Sequence, residues 1–404
     1  MVMDISFSKS VRSGSRRVTQ GGAFTGNNPW LKAIARGSSC ATCSVLLMFA
    51  LAPSLAASTI ETVATGLNNP RGLNFGPEGA LYVAEAGSGG AGPCGPGAEG
   101  TRCYGTSGSI TRVDVRRGTQ ERVSTGLPSL ASADGSFATG AQDIAFLGRG
   151  HAQVTIGFGG DPRLRQTLFG PDGANLARVV RVVASGNWRL TSDLGAYEIV
   201  ANPTGDEIDS NPYGLLAVPG KLIVADAGAN ALNQIQANGS ISTLAAFPNR
   251  LVDAPPFLGL PPGTQLSMDA VPTSVALGPD GDYYVGQLAG FPFPVGGANV
   301  YRVPAGGGDP EVFAAGFTGI IDIAFGPDGE LYVLEIAKHG LLAGLRGGDW
   351  TGALIRVATD GTRTEVASEG LFAPGGIALG ADGALYVTNH SISSGEGEVL
   401  KIRP

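Results

Sequence analysis

The side chains best suited to chemistry recur at one position. Six short apolar runs end at Glu85, Gly157, Asp226, Gln287, Glu335 and Asn389, and their partner runs begin after Arg71, Gln142, Tyr213, Thr273, Ile321 and Gly375. Carboxylates and amides delivered from separate segments make a set of hard oxygens, which is what Ca²⁺ takes. Glu85, Asn211, Asp322 and Glu335 are the metal candidates, with Ca²⁺ as the candidate cofactor. Arg71, Tyr213, Asp226, Gln287, Asn389 and His390 are expected around the same opening. The competing role is structural: a polar side chain at the end of a run hydrogen-bonds the backbone of the next loop. The regularity of the position favours that role.

Other chemistry is sparse. Residues 206–213 (DEIDSNPY) gather three acids and an Asn, but lack the Gly and terminal Glu of an EF-hand loop, so a solvated acidic loop is the alternative. Residues 288–297 (LAGFPFPVGG) put Phe291, Pro292, Phe293 and Pro294 in a loop, to wall a site or to plug it; burial of aromatics favours the plug. Only His151, His339 and His390 are present, and neither a G-x-S-x-G nor an H-E-x-x-H motif occurs. No catalytic residue is assignable.

The elements that position these residues are copies of one unit. DIAFGPDGELYVLE (322–335) pairs two apolar runs across a Gly-Pro-Asp-Gly turn, the pattern of an antiparallel hairpin. It returns as GLNFGPEGALYVAE (72–85), SVALGPDGDYYVGQ (274–287) and GIALGADGALYVTN (376–389), with weaker copies from 143 and 214. Starts at 72, 143, 214, 274, 322 and 376 approximate the period of propeller blades carrying insertions. An all-β, six-bladed β-propeller follows, one domain over 58–404. The last copy has three strands and then the chain stops. Residues 60–66 resemble an outer strand elsewhere, so they are expected to pair with 398–402 and close the ring. The a–b and c–d turns are short, whereas the b–c and d–a connections are long; the long loops should share one face and build the functional site there.

Residues 1–57 differ. A basic stretch (Lys9, Arg12, Arg16, Arg17, Lys32, Arg36), an apolar run at 45–51 and small residues up to Ala56 and Ala57 read as a secretory signal with an extended basic region. Six of the 27 basic residues and one of the 34 acidic ones lie there, so the remainder carries a net charge of −12. Such a chain repels phosphate backbones, which sets nucleic acid aside as a partner. Export to a periplasmic or extracellular compartment is expected, with no membrane anchor once the signal is removed. Cys94 and Cys103 flank CGPGAEGTRC, and an even pair this close in an exported chain usually forms a disulfide; metal binding is the weaker alternative.

The repeats look like NHL-type repeats. The strings PRGLNFGPEGALYVAEAG, TSGSITRV after the cysteine loop, DSNPYGL, VPTSVALGPDG, GFPFPVGGANVYRV and IIDIAFGPDGELYVLE resemble the ScyD/ScyE family over nearly all of the chain after residue 57. That resemblance implies an exported six-bladed propeller linked to biosynthesis of the pigment scytonemin, without an assigned reaction. Two functions are open: a non-catalytic module binding a small molecule or partner protein on the long-loop face, or a channel-site enzyme similar to metal-dependent lactonases or quinoprotein sugar dehydrogenases. The lack of a recognisable base or nucleophile motif favours binding.

Overall fold

The computed structural model describes residues 58–97, 100–148, 151–183 and 185–404; the expected secretory signal lies outside them. After β1 (Thr59–Asn68), blade 1 comprises β2 (Pro70–Phe75), β3 (Leu81–Glu85), β4 (Cys94–Gly97), β5 (Gly100–Asp114) and β6 (Thr119–Ala131). Blade 2 has β7 (Ala141–Phe146), β8 (Ala152–Ile156), β9 (Arg178–Val182) and β10 (Trp188–Asp193); blade 3 has β11 (Pro212–Val218), β12 (Lys221–Asp226), β13 (Ala231–Gln236) and β14 (Ile241–Ala246). A separate hairpin, β15 (Arg250–Asp253) with β16 (Gln265–Met268), precedes blade 4, which is β17 (Pro272–Leu277), β18 (Tyr283–Gln287), β19 (Ala298–Val303) and β20 (Glu311–Phe317). Blade 5 is β21 (Ile320–Phe325), β22 (Leu331–Glu335), β23 (Ala353–Val357) and β24 (Arg363–Ala367); blade 6 begins with β25 (Gly376–Leu379), β26 (Leu385–Asn389) and β27 (Ser394–Arg403).

Blade 6 is completed from the other end of the chain. β1 runs antiparallel to β27 with Thr59 opposite Arg403, Ile60 opposite Ile402 and Thr62 opposite Leu400. The six-bladed propeller closed by its N-terminal strand is therefore the observed fold, and the edge that β27 would otherwise present is covered.

The recurrence of the unit has a local cause. In blade 1, a side chain on Gly76 would collide with the Tyr82 ring, and Gly79 sits at φ 82°, where only glycine is unstrained. The ring so admitted folds over the turn and its hydroxyl donates to Glu78. Blades 4 and 6 repeat the clasp, Tyr284 to Asp280 and Tyr386 to Asp382. Every residue of β8, β18, β22 and β26 is buried, because each second strand is covered on both faces by neighbouring blades. Apolar clusters accordingly lie between blades: Ile110, Ile144 and Val154 join blades 1 and 2, while Leu354, Val387 and Leu400 join blades 5 and 6.

The insertions hold structure that the repeat does not announce. β5 and β6 run past the blade, where Cys103 opposes Ala131 and Tyr104 opposes Leu130. The long connections also carry α1 (Arg165–Phe169), α2 (Leu194–Ala201), capped by the Asp193 carboxylate on the Ala196 N–H, and α3 (Leu341–Gly347). Cys94 and Cys103 are disulfide-bonded and close the β4–β5 hairpin.

Candidate functional site

The six positions that precede the innermost strands do not share one fate. Arg71, Gln142, Tyr213, Thr273 and Ile321 line a cavity of about 290 Å³, while Gly375 packs against Ser391 and the Pro70 carbonyl. The rest of the wall comes from long-loop residues, including Phe137, Leu288, Phe293, Leu341 and Trp350. The elaborated face therefore surrounds the start of the inner strands, as the loop lengths imply.

One side of the cavity is polar. Arg71 is 8% exposed, and its Nη2 donates to the Ala138 carbonyl at 2.6 Å, while its Nε has no partner. Arg102 is placed by β5, directly beside disulfide-bonded Cys103; it donates to Thr139 Oγ1 at 2.9 Å and to the carbonyls of Phe158 and Gly159. Tyr213 is buried, which pushes its phenol up, while the charge and N–H groups of Arg71 beside it act the other way. The Gln142 Oε1 is likewise buried without a partner. Asn211 accepts from the Phe158 N–H at 3.1 Å and also faces the cavity. It reaches there because Gly157 has no side chain: a Cβ would lie 2.6 Å from Asn211 Oδ1 and 2.8 Å from Gln142 Nε2.

The rest of the wall is apolar. Phe137 and Trp350 meet with ring centroids 5.9 Å apart, and Ile321, Ile336, Leu341 and Ile392 continue the surface. The Phe-Pro loop supplies Phe293, half-buried and edge-on to Phe291 at 5.8 Å. It walls the cavity; the plug favoured by the burial argument is not what forms, because Phe291 and Phe293 pack on each other and leave the space open.

One residue beyond Gln142 and Ile321, Asp143 and Asp322 occupy the same position in blades 2 and 5. Asp143 accepts from the N–H groups of Ile144 and Leu215, and Asp322 from those of Ile323 and Ile377, so each joins its blade to the next. Burial raises both: Asp322 to about 7, and Asp143 well above the carboxylate range with the neighbouring Asp322 adding to the shift.

The expected oxygen ring for Ca²⁺ is not assembled. Glu85 turns into its own blade, where Arg122 (2.8 Å), Ser109 and Thr111 meet it, and the Asn68 N–H at the end of β1 completes the set that occupies both oxygens. Glu335 accepts from the Thr318 N–H at 2.7 Å, and burial raises it to about 7. Asp226 and Asn389 do the same for the N–H groups of Asn211 and Phe372, and Gln287 for that of Asn299. These acceptors tie strand ends to adjoining loops, so they are spent on backbone donors. Asn211 stands in the cavity wall without a carboxylate beside it in the lining, and Asp322 is held by its two N–H donors. Among the described residues no three His, Cys, Asp or Glu side chains are grouped to hold a metal ion, so the set does not fit Ca²⁺.

Of the six residues expected at the opening, Arg71 and Tyr213 line it; Asp226, Gln287 and Asn389 are the buried ties just described. His390 instead stacks on Phe372 at 5.0 Å, His339 pairs with Asp349 at 2.8 Å, and His151 contacts Arg181. None of the three lines the cavity. In the acidic loop, Asp209 binds the Gly160 N–H and is raised to about 6 by burial and by Asp226. Sequence reasoning missed Arg102, Trp350 and Phe137. Only Arg102 had a visible signal, its place within the cysteine loop.

The chain matches no known protein family by sequence, and no curated protein matches it. Among solved structures, it is similar to a protein of unknown function from Bacteroides thetaiotaomicron (10% identity, 86% of this chain and 76% of that one, TM-score 0.50). A gluconolactonase from Xanthomonas campestris (10% identity, 86% and 90%, TM-score 0.49) and a virginiamycin B lyase from Staphylococcus aureus (13% identity, 86% and 99%, TM-score 0.42) are more distant in shape. Likeness at these identities establishes the six-bladed propeller and nothing about its chemistry.

Proposed function

We propose that this protein is a binding or scaffold module that holds a small molecule, chemically unchanged, in the cavity at the opening of its inner strands. The observation that carries this reading is the lining. Among its described residues there is no His, Cys, Ser, Lys, Asp or Glu, so the commonest general bases and nucleophiles and the anionic metal ligands are missing from the wall itself. What the wall offers is an apolar surface with a few fixed polar groups, the usual composition of a small-molecule site.

The finer reading is membership of the ScyD/ScyE family, supported by the motifs at 70–87, 209–215 and 320–335 and by the disulfide-closed loop before Tyr104. It carries export to a periplasmic or extracellular compartment, which the disulfide supports. It also carries a link to a secondary-metabolite pathway of the scytonemin kind. No helix among the described residues is long and apolar enough to cross a membrane. A partner protein is the other occupant the long-loop face would suit, and the net charge of −12 after residue 57 disfavours nucleic acid.

The test is native mass spectrometry of the protein purified from its own source. A non-covalent small-molecule adduct is expected, released on denaturation and recovered unchanged after prolonged incubation with fresh protein. Conversion of that molecule to a product would overturn the binding reading in favour of a channel-site enzyme.

A further inference from the structure

The composition of the cavity narrows what it holds. Arg71, itself buried, brings a positive charge to the cavity wall, and no described carboxylate forms an ion pair with it. Its Nη2 is used on the Ala138 carbonyl, its Nε is unpartnered, and the Tyr213 hydroxyl stands beside the guanidinium, close enough to feel both its charge and its N–H groups. A buried guanidinium without a counter-charge is costly, and a carboxylate, which it can meet with two parallel N–H donors, removes that cost. Gln142 Oε1, also unpartnered, adds an acceptor for a hydroxyl or N–H on the ligand. Elsewhere in the wall the Phe137 and Trp350 pair and Phe293 offer aromatic surface that suits a flat apolar body. About 290 Å³ accommodates a two-ring compound.

We propose that the cavity takes a small organic carboxylate with a ring-bearing apolar body, its carboxylate on Arg71 and Tyr213 and its rings against Trp350, Phe137 and Phe293. This assignment rests on the binding reading above and adds the charge and shape of the ligand.

Calorimetric titration of the full chain with a hydroxynaphthoate and with the matching hydroxynaphthamide separates the two statements. The acid should bind about tenfold or more tightly than the amide, since one charge-assisted contact is worth roughly 1.5–3 kcal/mol. Arg71→Gln should bring the acid to the affinity of the amide and leave the amide unchanged. Equal affinities on the native protein, or an acid indifferent to Arg71→Gln, would overturn the anion assignment while leaving a binding site. Binding of neither compound at millimolar concentration would overturn both. The comparison of acid with amide on the native chain does not depend on the variant folding.

Discussion

At the residue scale the two recurring polar positions do opposite jobs according to direction. Glu85 and Glu335 end their strands in buried positions and accept backbone N–H groups, whereas Arg71 and Tyr213, at the start of the paired strands, look into the cavity. The recurrence of both positions is legible in the sequence; the direction is not, because a period of two fixes which residues share a face but not which face meets the axis. The carboxyls held in this way leave a mark on stability. Burial raises Asp322 and Glu335 to about 7; burial together with neighbouring acids raises Glu198 to about 8 and Asp209 to about 6. Between the ordinary carboxylate value of about 4 and these raised values, the folded chain keeps protons that the unfolded chain has lost, so stability falls as pH rises. Lowered exposed carboxyls such as Asp349, at about 2, act only at more acidic pH. The melting temperature should therefore drop steadily from about pH 5 to about pH 8, and Asp322→Asn should flatten part of that slope. A melting temperature that is constant or rising over this range would contradict the assignment of these groups as buried acids.

At the element scale the repeated parts were readable and the unique parts were not. The GPDG turns, the inner strands and the closing role of residues 60–66 all have internal copies or a missing partner to argue from. α2, α3, the β15–β16 hairpin and the outward extension of β5 and β6 occur once each, so no second copy exposes their pattern. They are also the elements that carry much of the cavity: Arg102 comes from the β5 extension, and Leu341 and Leu345 from α3. The closing strand can be tested on its own. Without residues 60–66, β27 becomes a bare edge and Ile402 and Leu400 lose their partners across the ladder. Deleting that segment should abolish the cooperative thermal transition followed by circular dichroism. A melting curve unchanged by the deletion would show that the ring does not depend on closure.

At the scale of the whole molecule, the ring is a frame of ties around the cavity at the start of the inner strands. Asp143 and Asp322 join blades 2 to 3 and 5 to 6 through backbone N–H groups, and Thr155 and Thr388 donate to the carbonyls of Tyr213 and Arg71. Those bonds fix Arg71 and Tyr213 by their own backbones, so the cavity is formed before any ligand arrives, which lowers the ordering cost of binding. The central claim is that this cavity, rather than another groove on the surface, is the binding site. Leu288, in its wall just after β18, offers the most direct test, because Leu288→Trp pushes an indole into the open space. Calorimetric titration with the hydroxynaphthoate should give saturable binding to the native chain and none to the Leu288→Trp variant, while the two unliganded proteins melt within a few degrees of each other. Equal affinity for the native chain and the Leu288→Trp variant would place the ligand elsewhere and contradict the account.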